Sequence, residues 1–306
     1  MSSFKNIALL ATGNLGSRIL TALNNAGFTV TAIQRKDSTN VPKGAAKSLK
    51  VDLSSEADLT TAFKNQDVVV SALPYPRLAS DKIWMNAAIN AGVKRIVPSE
   101  YSTNLENKNA QKLPIIFSKL EIRKYIEGLA SEGKIEWSSV NNGPFLVPYL
   151  WLSGAMGPNA KAKTATIHDG GNKTVATTTL ERIGEGVAAS LLPGNVEKTK
   201  NKPIYVYSTA LSERKVVDMV SKLLGGVEFK ETDLSVEQIT KDAFARWEAS
   251  DKKGHDFAFY MPFCYGDGYG GDFRDQAMNK ELGLKEMTDA EVEEFFKRAL
   301  KKQGLI

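Results

Sequence analysis

The sequence predicts an α/β fold: a doubly wound parallel sheet followed by a smaller C-terminal region. Three observations carry this reading. Short apolar runs alternate with helical patterns through the first 150 residues, the rhythm of repeated strand–helix–strand units. The run DVVVSAL (67–73) is nearly all apolar, as a strand covered on both faces requires. A glycine-bearing turn, ATGNLG (11–16), separates the first apolar run from a stretch with Leu15, Ile19 and Leu23 at four-residue spacing, which places all three on one helix face.

The elements follow in order. Residues 7–10 make the first strand. The helix after the turn ends near Gly27, a suitable C-cap. FTVTAI (28–33) is the second strand, SLKVDL (48–53) the third and DVVVSAL the fourth. KIWMNAAINAG is a helix, and VKRIVPSE (93–100) is the fifth strand. A helix runs from about Ile116 to Ser131, and IEWSSVNNG (135–143) is the sixth strand. Right-handed crossovers bring the C-terminal ends of such strands to one edge, where ligands bind. From GPFLVPYLWLSGAMGPN (143–159) the composition turns to Pro, Gly and aromatic residues. The expected division is therefore 1–150 for the sheet domain and 151–306 for a substrate-binding region. Within the latter, 173–208 is expected to return to the main sheet. Helical patterns dominate from Ser212 to Gln303, interrupted by MPFCYGDGYGGDF (261–273), which reads as a flexible aromatic-rich loop and a candidate lid.

Composition narrows the function. With 306 residues, 42% hydrophobic and 25% charged, the chain can bury a core without covalent staples. The single cysteine, Cys264, excludes an intrachain disulfide and a cysteine-cluster zinc site, and suggests a reducing compartment. The start, MSSFKNIALLA, has too short an apolar run for a signal peptide. No stretch approaches a membrane span, so the expectation is a cytoplasmic protein with no membrane partner, as a monomer or homodimer. The net charge is +5, with 40 cations mixed among 35 anions. No basic stripe stands out, which argues against a nucleic-acid partner.

The turn at 11–16 has the placement of a dinucleotide loop. Gly13 would let the backbone approach a pyrophosphate, and Gly16 would let the helix pack on the strand. The helix N-terminus offers free N–H groups to phosphates. Thr12 and Asn14 can add donors. The first glycine of the usual pattern is replaced by Leu10. If that slot needed a positive φ, leucine would cost about 1–2 kcal/mol; the expectation is that Leu10 ends the strand and the turn begins at Ala11. An NAD site normally has Asp or Glu at the end of the second strand. Here Arg35 and Lys36 stand there, and a guanidinium can grip a 2′-phosphate. This favours NADP.

Signals of chemistry are sparse. None of the nine tyrosines has Lys four residues later, so the usual Tyr–Lys pair of short-chain dehydrogenases is missing. His168, in IHDGGN, reads as a hairpin turn, and His255, in KKGHDF, as a polar loop. Asp267 and Asp272 lack the ligand spacing of a calcium loop, and no metal is expected. Lys119 and Arg123 are four apart on one helix. A partly desolvated lysine beside another cation has a lowered pKa and can trade protons near neutrality; the competing reading is a solvated helix face.

The pieces ATGNLG, AIQRK, DVVVSALP, VKRIVPSEYSTN, SKLEIRKYIE and NNGPF resemble, in order and spacing, the NmrA-like branch of atypical short-chain dehydrogenases. The subgroup is that of isoflavone reductase and phenylcoumaran benzylic ether reductase, with fungal relatives. The resemblance covers about the first 150 residues. It implies a Rossmann sheet binding NADP, with residues Ala11 to Gly16, Leu15 included, and Leu73 and Pro74 along the cofactor. Arg35 and Lys36 would meet the 2′-phosphate. Ser99, Glu100, Tyr101, Arg123, Asn142, Pro144 and Phe145 would border the nicotinamide, and Lys119 would be the catalytic lysine. The substrate would be an aromatic or polyketide-like small molecule, bordered by Tyr101 and Phe145; Tyr149, Trp151, Phe263, Tyr265 and Tyr269 read either as stacking on such a ligand or as core or lid packing. The expected activity is NADPH-dependent reduction of a carbonyl, enone or quinone methide. The alternative is a non-catalytic NADP(H)-sensing regulator, which the same family contains. Two departures from the family pattern are Leu10 and SEYS (99–102) in place of SEFG.

Overall fold

A computed structural model describes residues 4–74, 76–249 and 255–306, without the side chains of His255 and Asp256. The first half runs β1 (Asn6–Leu10), α1 (Asn14–Asn25), β2 (Thr29–Arg35), β3 (Lys47–Val51), α2 (Glu56–Ala62), β4 (Val68–Ser71), α3 (Leu78–Asn90), β5 (Arg95–Val97), α4 (Phe117–Ser131) and β6 (Glu136–Asn141). The second half runs α5 (Pro148–Trp151), β7 (Gly157–Asn159), β8 (Thr164–His168), β9 (Val175–Thr177), α6 (Leu180–Ser190), β10 (Lys202–Tyr205), β11 (Thr209–Leu211), α7 (Glu213–Leu223), β12 (Lys230–Leu234), α8 (Val236–Glu248), α9 (His255–Tyr265) and α10 (Asp289–Lys302).

Seven strands form one sheet in the order β10-β6-β5-β4-β1-β2-β3, and every neighbouring pair is parallel. Alternate residues of a strand point to opposite faces, and the two cores divide accordingly. Ile7 and Leu9 face α1 and α6 with Val30, Val68 and Val70. Ala8 and Leu10 face α2, α3 and α4 with Ile33, Val69 and Ile96. Each fully buried Leu, Ile or Val contributes roughly 1.5–3 kcal/mol, so both layers are strongly held. The order reverses between β1 and β4, the switch point at which such sheets open a crevice.

Strand boundaries shift by a few residues from those expected. The fifth strand is the most shortened, because Pro98 follows Val97 and offers no ladder N–H. In the 173–208 stretch only β10 enters the main sheet, beside β6. β9 instead pairs antiparallel with β11, while α6 lies on α1, where a side chain at Gly184 would meet the Arg18 backbone at 2.7 Å.

Two local readings are corrected. Residues 261–265 complete α9 rather than opening a loop; Met261, Phe263, Cys264 and Tyr265 are buried. Their apolar character is that of a covered helix, and only the glycine-rich part from Gly266 onward is irregular. His168 ends β8 between β7 and β12 and is no hairpin turn. Its Nδ1 lies 2.8 Å from the buried Glu213 carboxylate. The His255 side chain lies outside the described residues.

Candidate active site

The glycine turn sets the floor of a cleft at the C-terminal edge of the sheet. Leu10 is the last residue of β1, fully buried. The positive φ falls on Ala11, at 66°, a strain of about 1–2 kcal/mol for a residue with a side chain. Ala11 is held there by its N–H donating to the Ile33 carbonyl at 3.0 Å. A Cβ on Gly16 would lie 2.1 Å from the Ala11 carbonyl oxygen, so only glycine fits. Gly13 is different: nothing lies within 4 Å of the position its Cβ would take. That open room stands before α1, whose first turn has no side-chain cap and so presents unpaired N–H groups. The turn therefore fits a pyrophosphate.

A cavity of about 370 Å³ extends from this turn. It is lined by Ala11 and residues 13–16, by Leu73 and Pro74 after β4, by Ser99, Glu100 and Tyr101 after β5, by Lys119 on α4 and by Phe145 after β6. Ala72 and Pro76 also line it, unforeseen in the sequence. Thr12 is a correction. Its side chain turns inward, accepting from Gln34 Nε2 at 3.2 Å and Asn40 Nδ2 at 2.9 Å, so it stitches the turn to β2. Arg35 and Lys36 stand at the end of β2 with exposed side chains paired to carboxylates.

A second cavity, about 470 Å³, adjoins the first and shares Tyr101, Lys119 and Phe145 with it. Its other walls are Ile115 and Ile116, Ser102 and Thr103, Gly143, Tyr149 and Leu150 of α5, and Phe257, Tyr260 and Phe263 of α9. Tyr265 is not among them. It is buried within α9's inner face, its ring stacked on His168 with centroids 5.7 Å apart; this corrects its assignment to the substrate. Sequence reasoning missed Phe257 and Tyr260. Their three-residue spacing is a helical signal, hidden by the Pro and Gly of the adjoining stretch.

Lys119 opens between the two cavities. Burial pushes its amine down to about 8, against the negative charge of Glu100, which raises it. The neighbouring cation is not the cause. Arg123 is turned away from the cleft and neutralised: its Nε donates to Glu100 Oε2 at 3.0 Å, its Nη2 forms an ion pair with Glu100 Oε1 and donates to Ser139 Oγ at 2.9 Å. Its guanidinium stacks 4.6 Å above the Trp137 ring. Ser139 Oγ and Asn141 Nδ2 add donors to Glu100 at 2.9 and 2.8 Å. Arg123 thus anchors Glu100 and lines neither cavity.

Of the remaining predicted residues, Tyr101 and Ser99 line the cleft, whereas Asn142 and Pro144 are not among the lining residues of either cavity. Tyr101 has φ +24° and donates its hydroxyl to the Ser71 carbonyl at 3.0 Å, so its ring faces the cavities while its oxygen is engaged. Ser99 Oγ donates to the Leu73 carbonyl at 2.7 Å. Asn142 is fully buried, its Oδ1 without a partner among the described residues. The Pro144 carbonyl accepts from Thr177 Oγ1 and the Thr178 N–H, a structural role.

A parallel sheet with an uncapped glycine turn at its switch point, and a lysine between that cleft and an apolar cavity, define a dinucleotide-binding type of protein. The NmrA-like family profile matches residues 5–291, and the chain belongs to that family. It is 31% identical over 250 residues to Oxidoreductase aprR of Aspergillus flavus, spanning 78% of this chain and 82% of that one. It is 28% identical over 242 residues to the Isoflavone reductase homolog IRL of Zea mays, with 74% and 76% covered. Among solved structures it resembles AtPrR2 with NADP+ and (+)pinoresinol, with a TM-score of 0.73, 22% identity and 97% and 99% of the two chains covered.

Proposed function

We propose that the protein is an NADPH-dependent reductase acting on an aromatic or polyketide-like small molecule at a carbonyl, enone or quinone-methide carbon. The observation that carries this reading is the position of Lys119: one lysine lines both the cleft that fits a dinucleotide and the apolar cavity beside it. The names of the relatives, an oxidoreductase and an isoflavone reductase homolog, support the reaction class.

When bound, the nicotinamide would supply the hydride. The Gly13 turn and the α1 N-terminus would hold the pyrophosphate. Tyr101 and Phe145, common to both cavities, would fix the ring against the substrate. Lys119, titrating near 8, carries a proton at neutral pH and would give it to the substrate oxygen as negative charge builds there. The aromatic wall of α9 would stack on the substrate and exclude water. Residues 1–150 thus supply the cofactor cleft and most of the second cavity's wall, to which 151–306 add Phe257, Tyr260 and Phe263 of α9. No described helix is long and apolar enough to cross a membrane; a cytoplasmic site of action belongs to the same proposal.

The test is NADPH oxidation by the purified chain against aryl ketones, enones and quinones. Turnover with at least one class, lost about 100-fold or more in Lys119→Ala, is the expected result. Tight NADPH binding without oxidation of any class would favour the sensor reading.

A further inference from the structure

The end of β2 is where the adenosine ribose of a dinucleotide meets such a sheet, and the charges there are not those of a simple phosphate site. Arg35 Nε lies 3.0 Å from Asp37 Oδ1. Lys36 Nζ lies 3.6 Å from both Asp52 and Asp58. Two cations therefore face three carboxylates.

Backbone register creates this arrangement. β3 runs parallel to β2 with Val51 opposite Arg35, so Lys36 and Asp52 follow paired residues and emerge side by side. Asp52 is also held in place. Ser54 donates to its Oδ1 from the backbone N–H at 2.9 Å and from the hydroxyl at 2.6 Å. These bonds, aided by Lys36, keep its carboxyl below the usual range. The Asp52 N–H in turn reaches Asp58 Oδ2 at 3.4 Å. Lys36 is thus drawn to a preformed pair of acids. Arg35 and Asp37 are both more than 70% exposed, and such a pair exchanges partners readily because it is worth only about 0.2–1 kcal/mol.

Resting on the reading that the cofactor is a nicotinamide dinucleotide, we propose that Asp37 and Asp52 are specificity determinants that hold down the preference for NADPH over NADH. Asp52, with Asp58, withholds Lys36 from the 2′-phosphate. Asp37 competes with that phosphate for Arg35, the more exposed of the two cations. The same Asp37 carboxylate can accept from the 2′-hydroxyl of NADH, as acids at this position do. Selectivity for the phosphorylated form then rests on one exchangeable guanidinium.

Calorimetric titration of the full chain with NADPH and with NADH tests this without a known substrate. Removing one carboxylate charge close to a group carrying nearly two negative charges should tighten NADPH about fivefold to tenfold in Asp37→Asn. NADH affinity in that variant should stay level or weaken. Asp52→Asn should tighten NADPH in the same direction by freeing Lys36, and Arg35→Ala should weaken NADPH by about tenfold with NADH within a factor of about two. An Asp37→Asn variant whose NADPH affinity stays within about twofold of wild type, while Arg35→Ala still weakens it, would overturn the competition but leave the functional reading standing. Failure of the wild-type chain to bind either dinucleotide would overturn both.

Discussion

The two cavities that meet at Lys119 are built in different ways. The floor of the dinucleotide-type cleft is made of backbone: a turn in which Ala11 carries the positive φ, a glycine with no room for a methyl group, and an uncapped helix end. The apolar cavity is made largely of side chains, from segments as distant as Ile115, Tyr149 and Tyr260. Backbone sites tolerate few substitutions and announce themselves as short motifs. Side-chain cavities can be relined residue by residue, so their chemistry is free to drift while the cleft stays fixed. The first cavity is therefore the half in which a single added methyl group is felt, and the second the half in which one side chain can be exchanged at a time.

Breaking the cleft gives the largest effect. Gly16→Ala drives a methyl group into the Ala11 carbonyl, a buried backbone clash that should destabilise the fold by about 3 kcal/mol or more, read by urea unfolding. Gly13→Ala meets nothing. Its stability should change by under about 1 kcal/mol, while NADPH affinity, measured by calorimetry, drops about tenfold or more because the methyl group occupies the room meant for phosphate.

Next comes the polar cluster behind Lys119. Glu100→Gln leaves Arg123 buried without its carboxylate, which should cost about 3–5 kcal/mol in unfolding free energy. It also removes the charge that raises the Lys119 pKa. A rate that needs the ammonium form falls as pH rises through about 8 in the wild type; in Glu100→Gln that fall should move to lower pH. An unmoved pH profile would show that Glu100 does not act on Lys119.

Relining the other cavity is milder. Tyr260→Ala and Phe257→Ala should raise the substrate KM about fivefold to twentyfold, the scale of one or two lost apolar contacts. NADPH affinity should stay unchanged, which steady-state kinetics and calorimetry together check. The smallest effect is at Thr103, whose buried hydroxyl has no partner among the described residues. Thr103→Val removes that desolvated group and should stabilise the chain by about 1 kcal/mol, seen as a rise in Tm.

How much of this was legible follows the same division. The alternation of strands and helices and the turn at 11–16 were readable because each is local, set by a few consecutive residues, whereas the place of Ser99–Tyr101 at the site came from the family resemblance. Leu10 was read as ending its strand for a local reason too: a leucine belongs in the core. The Glu100 network was not readable, since Ser139 and Asn141 lie 39 and 41 residues away and only the β5–β6 pairing brings them together. Arg123 was assigned to the cofactor by the family resemblance alone, since its partner Glu100 lies 23 residues away. The α9 wall was lost to Pro262 and the glycines after it, which broke the helical pattern although the helix carries the proline. β9 was placed in the main sheet because a strand pattern does not name its neighbour.

The central claim is that the Lys119 amine stands between a bound nicotinamide and the substrate. A crystal structure of the chain soaked with NADP+ tests it most directly. The account predicts the pyrophosphate over Gly13, the nicotinamide ring between Tyr101 and Phe145, and Lys119 Nζ opening onto the same space as the ring's exposed face. A nicotinamide lodged elsewhere, or Lys119 swung into solvent away from it, would contradict the account.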